Sequence, residues 1–400
     1  MPASAFIICV TLAFADPPAG TGAMAPNVST ASDGAVILSW LEPTDPRATG
    51  QDRLMRLCFA EFENGAWSDA RTIVETDKFF ANWADLPRVV EAMDGSLLAS
   101  WLQMAGEGTY AYHIMLARSK DGGATWQILG RAHDDASATE HGFVSAAIDT
   151  AKNQTNLFWL DGREMAPEAH EDAGHAGDEM ELRTAIIGQA GAEPSILLDT
   201  RVCECCNTAA AITSDGPIIA YRDRSEQEIR DISFVRWTGE GWTDPAPVAR
   251  DGWRINGCPV NGPAIAARGD DVVVAWFTGA EMQSRVRASF SHDGGETFEA
   301  PVEVAPDALG RVDVVHDGNG GAIVCWIGAT DQDAAIFVGQ VRAGGTMGEA
   351  VRVADVSSSR ASGFPKIAWT AGKNLLVVWT AVGEDGRPAG VRVRTIKLWD

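Results

Sequence analysis

The 400-residue chain is 46% hydrophobic, enough to bury a sizeable core, which excludes a disordered polar chain. Its 32 basic and 55 acidic residues leave a formal charge of −23. Such a surface repels phosphate backbones and anionic membranes, so nucleic acid is excluded as a partner.

In chain order, the first element is an apolar run from Ala5 to Ala15 that ends Ala13-Phe14-Ala15 and is followed by Asp16-Pro17-Pro18. It reads as a short signal-peptide core with a small-residue cleavage site, although no Lys or Arg precedes it. We therefore expect residues 1–15 to be a leader, residues 16–400 to form a single β-propeller domain, and the protein to be periplasmic or secreted. No later segment approaches the roughly 18 apolar residues of a membrane-spanning helix. Loss of the leader removes Cys9 and leaves Cys58, Cys203, Cys205, Cys206, Cys258 and Cys325, an even number that permits disulfides in an oxidising compartment.

From residue 32 onward one phrase recurs: a turn with Asp, Gly or Asn, then a strongly apolar strand ending in an aromatic residue. Ser32 to Trp40, Met93 to Trp101 and Gly269 to Phe277 are examples. The aromatic positions are Trp40, Trp101, Trp159, Tyr221, Trp276, Trp326 and Trp379, spaced 50–62 residues apart. A third alternating strand follows each, such as Arg53 to Phe62 or His113 to Ser119, and then a more polar fourth. Period-two alternation in short segments with turns between them is antiparallel sheet, and four strands repeated radially make a propeller blade. The fold class expected is all-β, a seven-bladed β-propeller of four-stranded antiparallel blades. The last unit, from Arg360 to Asp400, has three clear strands, so ring closure can borrow one from the other terminus.

Two turns, Ser119 to Trp126 and Ser291 to Phe298, fit S-x-D-x-G-x-T-W/F, and Glu63 to Trp67 and Thr238 to Trp242 keep remnants of it. By these turns the chain resembles the Asp-box (BNR, sialidase-like) propellers over about residues 25–398. Asp boxes are structural: the glycines accept positive φ, the carboxylate binds turn amides, and the aromatic residue packs between sheets. Sialidases are similar to a six-bladed version, which is the alternative here. The family spans sialidases, other glycosidases, assembly factors and receptors, so the resemblance implies a fold more than an activity.

Segments entering the innermost strands crowd around one opening of a propeller channel. Here they are Asn82 to Asp85, Glu140 to Phe143, Cys203 to Asn207, Trp253 to Asn261, Arg311 to Asp313 and Arg360 to Gly363. They make Asp85, His141, Arg222, Asp223, Arg230, Asp231, Asn261, Arg311 and Arg360 candidate ligand-binding residues, since unpaired buried polar groups are costly. Within them Cys203, Cys205 and Cys206, with Cys258 entering the next blade, bring four sulfurs together. One reading is a disulfide from Cys258 to one of the three, locking blades four and five. The other is a soft metal, copper or zinc, on these thiolates with His141 or Asp85. Cys58 and Cys325 read as inert buried thiols.

Blade three carries a loop from Asp161 through His170 and His175 to Met180, either an acidic solvated lid or a metal-binding segment. Blade four places Arg222, Asp223, Arg230 and Asp231 where other blades are small or polar, as an ion-pair brace or a clamp for a carboxylate or sugar.

The sialidase resemblance implies an arginine triad, a Tyr-Glu nucleophile pair and an Asp acid/base. Arg88, Arg222, Arg230, Arg311, Arg360 and Asp85 are available, but Tyr110, Tyr112 and Tyr221 all precede the later blades where the family places its nucleophile. Whether the protein is an enzyme is thus left open. The function expected is an exported propeller that binds a small ligand or soft metal ion at a channel mouth rich in Cys, His, Asp and Arg. The alternatives are a glycoside hydrolase acting on glycans through Asp85, Glu140 or Asp223, and a protein-interaction scaffold.

Overall fold

The computed structural model describes residues 8–12, 16–48, 50, 53–106, 108–165 and 179–398. They form seven small antiparallel sheets and, apart from two single 3-10 turns, no helix. The fold is a seven-bladed β-propeller, which sets aside the six-bladed alternative. No helix among the described residues is long and apolar enough to cross a membrane.

The blades open with the strands Met24–Thr30, Arg88–Glu91, His141–Asp149, Ala209–Ile212, Ala264–Arg268, Ala308–His316 and Lys366–Trp369. These first strands lie against those of neighbouring blades and are therefore innermost. The seventh blade is completed by Ile8–Leu12, which pairs antiparallel with Pro388–Leu398. A strand is borrowed from the N-terminus to close the ring. The rest of the expected leader, residues 1–7 and 13–15, lies outside the described residues. An apolar five-residue run suits both a leader core and an outer strand, so composition does not separate the two.

All seven aromatic repeat positions fall on the second strand of a blade and are buried. Several also dispose of their polar edge inside the blade: the Trp40 indole donates to Glu42 at 2.7 Å and the Trp159 indole to Asp161 at 2.8 Å. The Asp boxes sit between third and fourth strands. Asp121 accepts Thr125 N–H at 2.9 Å and Thr125 Oγ1–H at 2.6 Å, and Asp293 repeats both bonds to Thr297. Their aromatic residues fill blade seams: Trp126 meets Phe59 of the preceding blade edge-on at 5.7 Å, and Phe298 meets Phe234 at 5.0 Å. Gly123, at φ +86°, leaves 2.2 Å between a would-be Cβ and Phe59, so only glycine fits that turn.

Entry to the first strand is bulged in blades one, three and six, where register shifts between Met24 and Asn27, Gly142 and Ser145, and Gly310 and Asp313. Ala25, Phe143 and Arg311 occupy the left-handed region there, at φ 54°, 55° and 55°. A bulge adds one residue and re-aims its neighbours, which is how strands facing a common axis turn polar side chains toward the mouth.

Candidate functional site

Cys203, Cys205 and Cys206 follow the last strand of blade three and form a compact triangle. Their sulfurs stand 3.5 Å (Cys203–Cys206), 3.7 Å (Cys203–Cys205) and 4.0 Å (Cys205–Cys206) apart. Cys258, from the segment leading to blade five, hydrogen-bonds Cys205. The expected disulfide is not present: Cys58, Cys203, Cys205, Cys206, Cys258 and Cys325 are all free thiols. The triangle is well outside the roughly 2.05 Å of an S–S bond. Burial opposes ionisation of Cys203, but hydrogen bonds from Cys205 and Cys206 and the charge of Arg230 prevail and hold its thiol well below the ordinary range. The bond to Cys205 likewise lowers Cys258, while Cys205 and Cys206 are raised. Within the cluster these effects favour negative charge at Cys203.

The charge is answered by blade four. Arg230 donates to Cys203 Sγ at 3.2 Å, to Glu204 at 2.8 Å and to Glu228 at 2.9 Å, and Arg224 spans Glu204 at 3.1 Å and Glu228 at 2.8 Å. These two arginines and two glutamates balance one another. Arg222, beside Cys206, adds a further cation whose donors reach only carbonyls: Asn261 at 2.7 and 2.9 Å, Arg230 at 2.5 Å and Phe277 at 2.7 Å. Asn261 completes the enclosure, its N–H directed at Cys206 Sγ at 3.4 Å. Asp231 is occupied by the N–H groups of Gly252 and Trp253, each at 2.9 Å, and Asp223 by Ser233 at 2.9 Å and the N–H of Arg224 at 2.6 Å.

Across the mouth lies a set of buried acids. Tyr112 donates to Glu140 at 2.5 Å while its ring stacks on Phe80 at 4.1 Å. Asp85 accepts the N–H of Phe143. Burial pushes the Asp85 carboxyl up to about 7 and that of Glu140 up to about 8, the latter helped by Asp85, Glu204 and Cys258. Glu140 therefore feels both halves of the mouth, the Asp85 side and the sulfur side. Asp223 is apart from this pair, near Asp199 and Asp231.

On the remaining side Trp83 lies beneath two cations, the Arg311 guanidinium 5.1 Å and that of Arg360 5.9 Å from the indole centre, and stacks on Phe364 at 5.9 Å. Arg311 also donates to the carbonyls of Ser358, Ser359 and Gly363. Burial, then Arg360, pushes Arg311 down to about 10. Arg360 itself is exposed.

His141 is not with the sulfurs. It belongs to a separate group with His113 and His133 between blades two and three, bordered by Asp135 and Asp161. His170 and His175 of the blade-three loop lie outside the described residues, and Met180 is buried at the start of a strand. Cys58 and Cys325 are buried, and burial pushes the Cys58 thiol up to about 12.

Four participants have no motif to mark them: Glu204, Tyr112, His113 and His133. Glu204 lies inside the cysteine motif, and its charge next to cysteines was the available signal. For the histidines the signal was scarcity, since only seven occur in the chain and three converge.

No protein-family model and no curated protein matches the sequence. Solved structures match the fold. A protein of unknown function from Dyadobacter fermentans aligns with a TM-score of 0.54 over 95% of each chain at 12% identity. The polysaccharide lyase Uly1 aligns at 0.53 over 94% of this chain and 90% of its own, at 10% identity. The NanB sialidase of Streptococcus pneumoniae aligns at 0.46 over 98% and 71%, at 11% identity. At such identities the first two likenesses establish a shared propeller architecture, on which chemistry differs from site to site.

Proposed function

We propose that the channel mouth of this propeller is a binding site for a soft, thiophilic metal ion, copper(I) or zinc, held by Cys203, Cys205, Cys206 and Cys258. The observation that carries the reading is the spacing of the sulfurs. An ion bound at about 2.3 Å to tetrahedral thiolates separates them by roughly 3.8 Å, and the three sulfurs here stand 3.5, 3.7 and 4.0 Å apart. Arg230, Arg222 and the Asn261 N–H are placed to stabilise negative sulfur in a buried place.

Elemental analysis and thiol counting on protein purified without chelator test the reading. We expect about one copper or zinc per chain that depends on the cluster cysteines, protection of the cluster thiols from alkylation, and loss of both on Cys205→Ser or Cys206→Ser. Arg230→Met, which removes a partner of the ligand and not the ligand, should weaken binding by roughly 10–100-fold. Four freely alkylated thiols with no affinity for copper(I) or zinc would overturn it.

A second reading rests on Tyr112 and Glu140, 2.5 Å apart beside Asp85, a phenol–carboxylate pair with a neighbouring acid of the kind used on glycans. The polysaccharide lyase that shares the fold makes acidic glycans the first substrates to try. New reducing ends from such a glycan, lost on Glu140→Gln and kept on Cys205→Ser, would favour it over the metal site.

A further inference from the structure

Behind the acids of the mouth, strand alternation sends His113 to the face opposite Tyr112, into the seam between blades two and three. There it meets His133, from the segment after the last strand of blade two, and His141, the first residue of blade three. One nitrogen of each ring lies within 4.8 Å of the others. The His133 and His141 rings stack at 3.8 Å, and His113 stands 5.0 Å and 5.6 Å from them.

The hydrogen bonding of this group is incomplete in a particular way. His133 is 4% exposed, and neither of its ring nitrogens has a partner among the described residues; nor has His113 Nδ1. Buried imidazole nitrogens are ordinarily bonded, and three orphaned in one cluster is a large desolvation cost without return. His141 is the converse. Its Nδ1 faces only carbonyls, Thr139 O at 3.0 Å and Tyr112 O at 3.3 Å, so the proton is there. Nε2 then faces two carboxylate oxygens, Asp135 Oδ2 at 3.0 Å and Asp161 Oδ1 at 3.5 Å. Two carboxylates converging on one ring nitrogen call for a cation there, either a proton on the ring or a metal ion.

We propose that His113, His133, His141 and Asp135 form a second metal site, distinct from the sulfur cluster, for a divalent first-row transition ion that prefers nitrogen and oxygen ligands, with zinc as the type case. Three imidazoles and a carboxylate are a tetrahedral donor set, reached from this arrangement by rotating the rings until their nitrogens converge at about 2.0–2.1 Å from the ion. The surround is built for it. The Thr139 and Tyr112 carbonyls fix the His141 tautomer, Ser137 N–H holds Asp135 at 2.9 Å, and the Trp159 indole and Arg163, each at 2.8 Å, hold Asp161. Because the residue before His141 is Glu140 and the one before His113 is Tyr112, an ion here would stiffen the backbone that sets the acid side of the mouth.

Cobalt(II) titration of the full chain, followed by visible and near-ultraviolet absorption, separates the two sites. Nitrogen and oxygen ligands give tetrahedral d–d bands without thiolate charge transfer, whereas the sulfur cluster gives both. We expect one equivalent with d–d bands alone, displaced by zinc, and a zinc-dependent rise in melting temperature. Both should vanish in His133→Leu, which keeps the buried volume apolar, while thiolate-bound cobalt persists. If His133→Leu does not fold, His113→Gln and X-ray absorption at the zinc edge of the native protein read the same question. A zinc shell of sulfur alone, no cobalt bands without charge transfer, or bands unchanged in the histidine variants would overturn the site and leave the His141–Asp135 contact a hydrogen bond within the fold.

Discussion

Arg222→Met should destabilise the protein by about 3–5 kcal/mol in urea unfolding, the largest single loss expected from any side chain at the mouth. Arg222 is 1% exposed and leaves the end of the second strand of blade four to reach across to blade five. Its guanidinium binds the carbonyls of Arg230, Asn261 and Phe277 and lies 4.8 Å over the Trp253 ring. Three carbonyls left without donors cost on the order of 1–3 kcal/mol each when they stay buried, so partial relaxation is already assumed in the figure. Arg222→Lys should recover little, because one ammonium cannot fill a planar fork aimed at three acceptors. Arg352→Met, at an exposed pair with Asp355, is the control and should change stability by less than about 0.5 kcal/mol. A loss below about 1 kcal/mol for Arg222→Met would mean that water replaces the guanidinium, and that the joint between blades four and five is open.

That role marks where sequence reading stops. Seven apolar strands ending in aromatic residues were enough to count blades, because each aromatic must be buried against the next sheet and a period of 50–62 residues admits little else. The Asp boxes were equally legible, since turn chemistry is local: every bond of Asp121 and Asp293 is made within four residues. Convergence of Cys203, Cys205 and Cys206 followed from adjacency in the chain. What could not be read is where long side chains spend their donors. Arg222 and Arg311, candidate ligand-binding residues by sequence, are engaged with backbone carbonyls from neighbouring loops, partners that exist only once blades are packed. His141 was assigned to the sulfurs because its segment enters the same mouth. The bulge at Gly142 to Ser145 sends Phe143 and His141 to different surroundings, and a one-residue register change of that kind is invisible in a pattern of period two.

The two proposed metal sites divide the mouth chemically. On the blade-four side arginines surround sulfur and favour negative, polarizable ligands; on the side of blades two and three, imidazoles meet carboxylates. Glu140 stands between them, bonded to Tyr112 and acted on by both Asp85 and Cys258.

How those acids are charged decides what they can hold, and Asp85→Asn measures it. The variant should gain on the native protein as pH rises from about 3 to about 8, by up to roughly 4 kcal/mol, about 2.7 kcal/mol of it above about pH 5. The folded carboxyl is pushed by burial from 3.8 up to about 7, so between those values the folded state binds more protons than the unfolded chain. Stability from this group is therefore complete below the unfolded value, falls as pH climbs through the window, and levels off above about 7. Asparagine does not titrate, and it can still accept the Phe143 N–H that Asp85 accepts. Its neighbours set the limits: Arg88 offsets part of the buried charge, whereas Glu140 and Tyr112 offer it no cation. Gly142 leaves no slack, since Asp85 Oδ2 lies 2.3 Å from the place of a Cβ there. Melting temperatures of the two proteins, measured across that range with chelator present, would lie closest near about pH 3 and part as pH rises toward about 7. A constant difference would mean that Asp85 is already ionised near pH 5, held so by water or a cation at the mouth, and the acid side would then be an anionic site from the outset.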